Sequence, residues 1–273
     1  MLVPLKVVEQ ALTVFPGSSL VVLGCAADGR KREYCEVNMV AYPAIGSPRL
    51  LRQGKQLFQL IPVTDPLLIV KEPHRIVKDD NWNVSTVLAS SRKMKLDALQ
   101  RFVMEQRETE AMKFLVLGYT ALDREDPELA GACTLSALAR LAEAVVLDHG
   151  VPVHPSHLAE DLRTLNEMSF FSDITDFDLP SSSNCSRRTQ KISGALVHDE
   201  ATLVRNKLEG LARDSKLFDC LFYSYWCLAH LLDSEEAMKG TIVRELGVGI
   251  EVGEIKSKLN KVTIRLKQLV AGR

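Results

Sequence analysis

The sequence lacks the short motifs that indicate catalysis by themselves. It contains no glycine-rich phosphate loop, no GxGxxG fingerprint, no GxSxG nucleophile elbow and no HExxH zinc motif. A small enzyme whose site is assembled from distant residues remains the third function class in order of preference. Because the catalytic motifs are absent, we expect a protein that is not an enzyme and that has no cofactor.

The six cysteines form no CxxC pair and no regular framework. The N-terminus has no charged segment followed by an apolar stretch and a cleavage site. These absences predict free thiols in a reducing compartment. The longest apolar stretches, 138–147 and 220–232, are too short or too interrupted for a bilayer of about 20 apolar residues, so we expect any membrane contact to be peripheral.

The chain also lacks an excess of either charge. Its 34 lysines and arginines against 35 aspartates and glutamates give a net charge of −1, which excludes a surface wrapped as a whole in nucleic acid. Any basic site is therefore local. Clusters occur at 30–32, 49–55 and 92–95, without the interleaved aromatics of a base-stacking platform. The predicted lipid- or RNA-binding residues are Arg49, Arg52, Lys55, Arg92, Lys93 and Lys95.

The composition that is present, 46 % hydrophobic and 25 % charged, is that of a globular protein. Helical spacing predicts a helix over 6–14, which ends at Pro16-Gly17, and an amphipathic helix over 48–62. Apolar runs on either side of a polar turn predict a short β-hairpin near 20–42. The fold class predicted is mainly α, with two packed helical subdomains and a helical C-terminal region.

Breaks in the pattern predict the domain organisation. Prolines between 62 and 73 indicate a joint near 62–83, so an N-terminal subdomain at 1–70 precedes a middle helical subdomain at 78–170. Lys78-Asp79-Asp80-Asn81 offers cap residues for a helix beginning near 82–84, and Asp126 caps another that ends at Gly150. A serine-rich, acidic segment at 171–190 is typical of an exposed linker, and 191–273 forms a helical C-terminal domain.

The last helix, predicted over 254–270, has an apolar seam with steps of four and three residues. The seam residues, predicted to form an oligomer or partner contact, are Ile255, Leu259, Val262, Leu266 and Leu269. Packing against the apolar pattern at 203–232 within the same domain is an equally good interpretation.

His154 and His157 have the one spacing that resembles a metal site, with His149 and Cys133 upstream. Only one thiol lies nearby, so the paired ligands of a structural zinc site are missing. We expect no metal and regard both histidines as surface residues between helices.

Taken in order, several segments resemble those of the orthomyxovirus matrix proteins of influenza-like and thogoto-like viruses. They are Val8–Ser18, Leu51–Pro62, Asp79-Asp80-Asn81 with the basic run at 92–95, Leu117–Ala144 and His154–His157. They look like the first matrix helix, the apolar fourth helix, the joint with its basic helix, the paired middle helices and half of the cysteine-histidine motif. The resemblance covers residues 5–160. The sequence departs from the family pattern in two places. Only Cys133 is present of the cysteine half of the cysteine-histidine motif, and residues 20–42 have a strand pattern where the family has a helix.

The resemblance implies a viral matrix protein that forms an oligomeric layer beneath the envelope. The implied partners are further copies of itself, viral ribonucleoprotein or RNA, and an anionic membrane surface bound peripherally. The implied location is the virion, under the envelope, with passage through host cytoplasm and nucleus. The alternative is a helical adaptor or scaffold that binds a partner helix through its C-terminal seam.

Overall fold

A computed structural model describes residues 3–91, 96–175, 180–233, 245–246 and 251–272. The chain divides into two compact units, residues 1–100 and 101–273. The described part of the chain is mainly helical, which confirms the predicted class, but the first unit also contains a five-stranded sheet.

The sheet of the first unit has the strand order β3-β4-β2-β1-β5. The strands are β1 (Ser19–Leu23), β2 (Val37–Tyr42), β3 (Arg49–Gln53), β4 (Gln56–Pro62) and β5 (His74–Lys78). β2 and β4 are parallel, whereas the other neighbours are antiparallel. The α-helices described wholly within this unit are α1 (Leu5–Val14), α2 (Leu67–Lys71) and α3 (Asn83–Ser91).

The hairpin predicted near 20–42 is confirmed as a strand pair but is part of a larger structure. β1 and β2 pair from Ser19 with Tyr42 to Leu23 with Asn38. Both strands lie inside the sheet, and every residue of β1 is buried. Their apolar side chains cover both faces, as expected for strands with a layer on each side.

The amphipathic helix predicted over 48–62 is wrong, because this segment forms β3 and β4. Gly54, at φ +61°, lies in the tight turn between them, a backbone conformation that glycine adopts without strain. β4 is covered on both sides, so Leu57 and Phe58 are both buried although they point to opposite faces. Because both of these adjacent residues are apolar, the segment lacks the apolar-polar alternation typical of a strand, and its apolar positions fit helical spacing instead.

Helices cover both faces of the sheet. Val7 and Ala11 of α1 pack in one apolar cluster with Val22, Met39 and Leu60 of the sheet. The helix predicted at 6–14 is thereby confirmed. On the opposite face, Ile69 of α2 and Val84 of α3 pack against alternate strand residues. The first unit is therefore a layered α/β structure and not a helical subdomain.

The joint predicted between 62 and 83 falls inside the first unit. β5 lies within that range and pairs with β1, an interior strand of the sheet. The amide of Gly24 also donates to the carbonyl of Pro73 at 2.9 Å. The prolines interrupt helices and strands locally, while backbone hydrogen bonds hold the segments on either side in one sheet.

The second unit is helical. Its helices are α4 (Leu96–Asp123, whose first residues belong to the first unit), α5 (Pro127–Asp148), α6 (Leu158–Thr164), α7 (Met168–Ile174), α8 (Ser182–Ala195), α9 (His198–Arg213), α10 (Leu217–Asp233) and α11 (Val252–Ala271). The linker predicted at 171–190 is wrong for its described residues, since α7 and α8 occupy most of it and Cys185 is fully buried. The pattern at 203–232 is divided between α9 and α10, with Ser215 at φ +57° in the turn.

The central helix α5 begins as predicted. The Asp126 side chain accepts a hydrogen bond from the Leu129 amide, and Pro127 stands in the first turn. This is the one helix of the described segments that is long and apolar enough to cross a membrane, yet 94 % of its most apolar window is buried inside the protein. Its burial is that of a core helix.

Candidate functional site

The predicted seam of α11 lies in the core of the second unit. Its five apolar residues are all buried. They pack toward α5 and α4, where a methyl group added at Gly118 would meet the Leu259 side chain at 3.0 Å. The seam is therefore not open to a partner in this fold. The seam is thus buried within the molecule, but its main neighbour is α5 and not the 203–232 pattern that the intramolecular alternative named.

The packing of α11 on α4 leaves an apolar groove on the outer side of these two helices. Met112 and Val116 of α4 are 42 % and 57 % exposed, and Val270 of α11 is 53 % exposed. All three line the groove, together with Leu117 and Leu266. Single exposed apolar residues are common on protein surfaces, but a contiguous set marks a contact surface.

Charged side chains stand beside the groove. Glu105 and Lys113 lie on α4, eight residues apart, and both are exposed. Lys113 donates to Asp233 of α10 at 2.5 Å in an ion pair that remains open to solvent. The groove thus has an apolar floor and charges of both signs at its edge, which is the composition of a protein contact surface.

A network of charges connects α4 to α5 from the inner side of α4, where the two α5 members are buried and the two α4 members are partly exposed. Arg140 and Glu143 of α5, 1 % and 2 % exposed, form an ion pair at 2.7 Å. Arg140 also lies 2.8 Å from a Glu110 oxygen, and Arg107 lies 3.4 Å from Glu143. The indole of Trp226 on α10 donates to Glu143 at 3.2 Å. Because each charge meets an opposite charge, this cluster connects α4, α5 and α10.

His230 lies at the edge of this network, with its ring centre 4.1 Å from that of Trp226. Although part of the ring is open to solvent, desolvation by its packed surroundings and then the positive charges of Arg140 and Arg107 lower its pKa to about 4. The imidazole is therefore neutral at pH 7.

Of the cationic residues predicted to bind lipid or RNA, the three that the structure describes are spread over the two faces and the turn of the β3–β4 hairpin. Arg49 and Arg52 are exposed on the edge strand β3, and their odd separation places them on opposite faces. Lys55 is exposed in the turn that follows. Arg92, Lys93 and Lys95 lie outside the described residues.

His154 and His157 are buried, so the expectation of surface histidines is wrong. Their ring centres lie 6.2 Å apart, edge to face, and the Nδ1 of His157 is 3.6 Å from a Glu160 oxygen. Burial and the charge of Asp126 raise the pKa of Cys133 to about 12, so that residue is a protonated thiol and a poor metal ligand.

Sequence reasoning missed the exposed groove because Met112 and Val116 fit the same helical spacing as core residues. The signal available in the sequence was the row of Phe102, Thr109 and Val116. These residues are seven apart and therefore lie on one side of the helix. A heptad step on a helix whose opposite side is also apolar indicates two contact surfaces.

Comparison with known proteins adds little. No family model and no curated protein matches the chain. Among solved structures, a nucleotidyltransferase-like protein from Exiguobacterium sibiricum is 13 % identical, with 97 % of this chain and 88 % of that chain covered and a TM-score of 0.37. A TM-score this low supports no statement about fold or activity.

Proposed function

We propose that the protein is a structural assembly protein that forms homo-oligomers through the outer groove of α4 and α11. The observation that supports this proposal is the contiguous exposure of Met112, Val116 and Val270 on a surface edged by both charges. Burying one such side chain is worth about 1.5 to 3 kcal/mol, a gain that association can use to offset its entropic cost.

The core beneath the groove is suited to this role. The ion pairs of Arg140 with Glu110 and of Glu143 with Arg107 join α5 to α4, so α4 presents its outer face on a fixed support. A rigid contact surface binds with less loss of conformational entropy than a mobile one.

The adaptor role is the second candidate, since an amphipathic helix of another protein can occupy the same kind of groove. It would then use the outer face of α4 and not the C-terminal seam, which is buried. The wider viral matrix role, with membrane and ribonucleoprotein as further partners, stays a prediction that depends on the cations of the β3–β4 hairpin.

Sedimentation velocity of the full chain over a range of concentrations tests the proposal. We expect a concentration-dependent oligomer that is lost in the double variant Met112→Ser with Val116→Ser. Val197→Ser is the matched control, because Val197 is 69 % exposed in the same unit but away from the groove. A wild-type chain that stays monomeric at high micromolar concentration would contradict the proposal.

A further inference from the structure

We infer that the occupant of the groove is α4 of a second copy, which packs antiparallel about a two-fold axis at Thr109. This inference rests on the proposed function, since it names the partner and the geometry of the same surface. It follows from the order of the side chains along α4.

Along α4, the spacing of one row of exposed residues, called here the exposed stripe, is symmetric about Thr109. The positions 102, 105, 109, 113 and 116 are separated by three, four, four and three residues, and all five side chains are exposed. At 100° per residue they fall within about 40° of Thr109 around the helix. A two-fold axis at Thr109 therefore places each position on one copy opposite a position of the same stripe on the other.

The chemistry of the stripe matches this arrangement. About such an axis, Glu105 of one copy faces Lys113 of the other, and the pair occurs twice by symmetry. Phe102, 48 % exposed, faces Val116 in the same reciprocal way, and Thr109 faces itself. The apolar pairs thus lie at the two ends and the ion pairs between them.

Charge also disfavours the parallel alternative. Two α4 helices side by side in the same direction would place Glu105 against Glu105 and Lys113 against Lys113. Like charges in contact oppose association, whereas the antiparallel pairing of the same residues favours it. The stripe is therefore complementary to itself in one direction only.

Lys113 can make the intermolecular contact although it now pairs with Asp233. Its side chain is 52 % exposed and that of Asp233 is 34 % exposed. Exposed ion pairs contribute little and exchange partners readily. The stripe spans about four helical turns, which is short for a protein interface, so the dimer should dissociate on dilution.

Disulfide trapping tests the axis. We expect Thr109→Cys to form a cross-linked dimer under mild oxidation by oxidised glutathione, because residue 109 faces its own copy. Thr120→Cys is the control on the same helix, since the antiparallel pairing separates its two copies by about 33 Å along the axis. The wild-type chain, with its six native cysteines, is oxidised in parallel.

Charge exchange provides the second arm. Glu105→Lys and Lys113→Glu should each weaken the dimer about tenfold or more by sedimentation, and the double exchange should restore it. Circular dichroism of each variant verifies that the helices are retained, so a loss of the dimer reports the interface.

The outcomes separate the inference from the proposed function. Cross-linking at 109 alone, with rescue by the double exchange, supports the antiparallel dimer. Cross-linking at both positions means a parallel pair and overturns the inference. Oligomers without cross-linking at 109, or without rescue, overturn it but leave the assembly function standing, whereas a monomeric wild type removes both.

Discussion

Asp79 joins the sheet of the first unit to the start of α3. Its carboxylate accepts hydrogen bonds from the hydroxyls of Ser19 and Ser85, at 2.5 and 2.6 Å, and from the amides of Val84 and Ser85. Partial burial alone would raise the pKa of this carboxyl, but these hydrogen bonds outweigh the burial and lower the pKa below its usual value. The ionised form therefore stabilises the fold.

We expect Asp79→Asn to lower the free energy of unfolding by about 1 to 2 kcal/mol at pH 7. A carboxyl with a lowered folded pKa contributes stability above its unfolded value of about 3.9, and this contribution is lost as the pH falls through the folded value. The difference between wild type and variant should therefore shrink from pH 7 to pH 3, as measured by urea unfolding.

Asp80→Asn is the matched control for this prediction, because Asp80 is exposed and its ion pair with Lys78, at 2.7 Å, is open to solvent. An exposed ion pair contributes about 0 to 1 kcal/mol. Equal effects of the two substitutions, or an Asp79→Asn effect that does not change with pH, would show that the network around Asp79 does not stabilise the fold.

Local chemistry of this kind is what the sequence predicts best. Asp79 and Asp126 both stand near a helix start, and both were predictable as cap residues because capping involves only a few neighbouring residues. The burial of His154 and His157 was not predictable from their spacing, since it depends on which helices pack over them.

At the scale of elements, periodicity predicted where apolar faces occur but not what covers them. α11 begins and ends within two residues of the predicted 254–270, and its apolar seam is one face of a helix. The 48–62 segment has a similar spacing but forms two strands, because the turn at Gly54 reverses the chain and β4 is covered on both faces. Pairing between distant strands decides this outcome, and single-segment periodicity does not contain it.

The position of α11 in the core leads to a prediction for the seam. We expect Leu259→Ala to lower the free energy of unfolding by about 2 to 5 kcal/mol, because Leu259 is fully buried and touches α4 at Gly118. Oligomers should persist at temperatures where the variant is folded. Thermal unfolding and sedimentation measure the two effects.

Ile264→Ala is the control on the same helix, since Ile264 is 56 % exposed and its truncation should change stability by less than about 0.5 kcal/mol. If Leu259→Ala abolished oligomers without a loss of stability, the seam would be an interface between molecules and its placement in the core would be wrong.

At the scale of the whole molecule, a net charge of −1 means that attraction to phosphates depends on where the cations lie. The hairpin of β3 and β4 offers three exposed cations along one edge of the sheet: Arg49, Arg52 and Lys55. We predict that replacing all three with alanine weakens binding to anionic vesicles and to single-stranded RNA. The logarithm of the wild-type RNA-binding constant should fall with the logarithm of salt concentration with a slope of about −2, as three phosphate contacts require.

A variant of equal net charge tests whether location matters. Replacing exposed Arg124, Lys256 and Lys267 with alanine also removes three positive charges, which takes the net charge from −1 to −4 in both variants. If the hairpin is the binding site, only the hairpin variant loses affinity and its salt dependence becomes flatter. Equal losses in both variants would mean that net charge governs a diffuse attraction. If binding by the wild type did not depend on salt concentration, the prediction that the protein contacts phosphates electrostatically would be wrong.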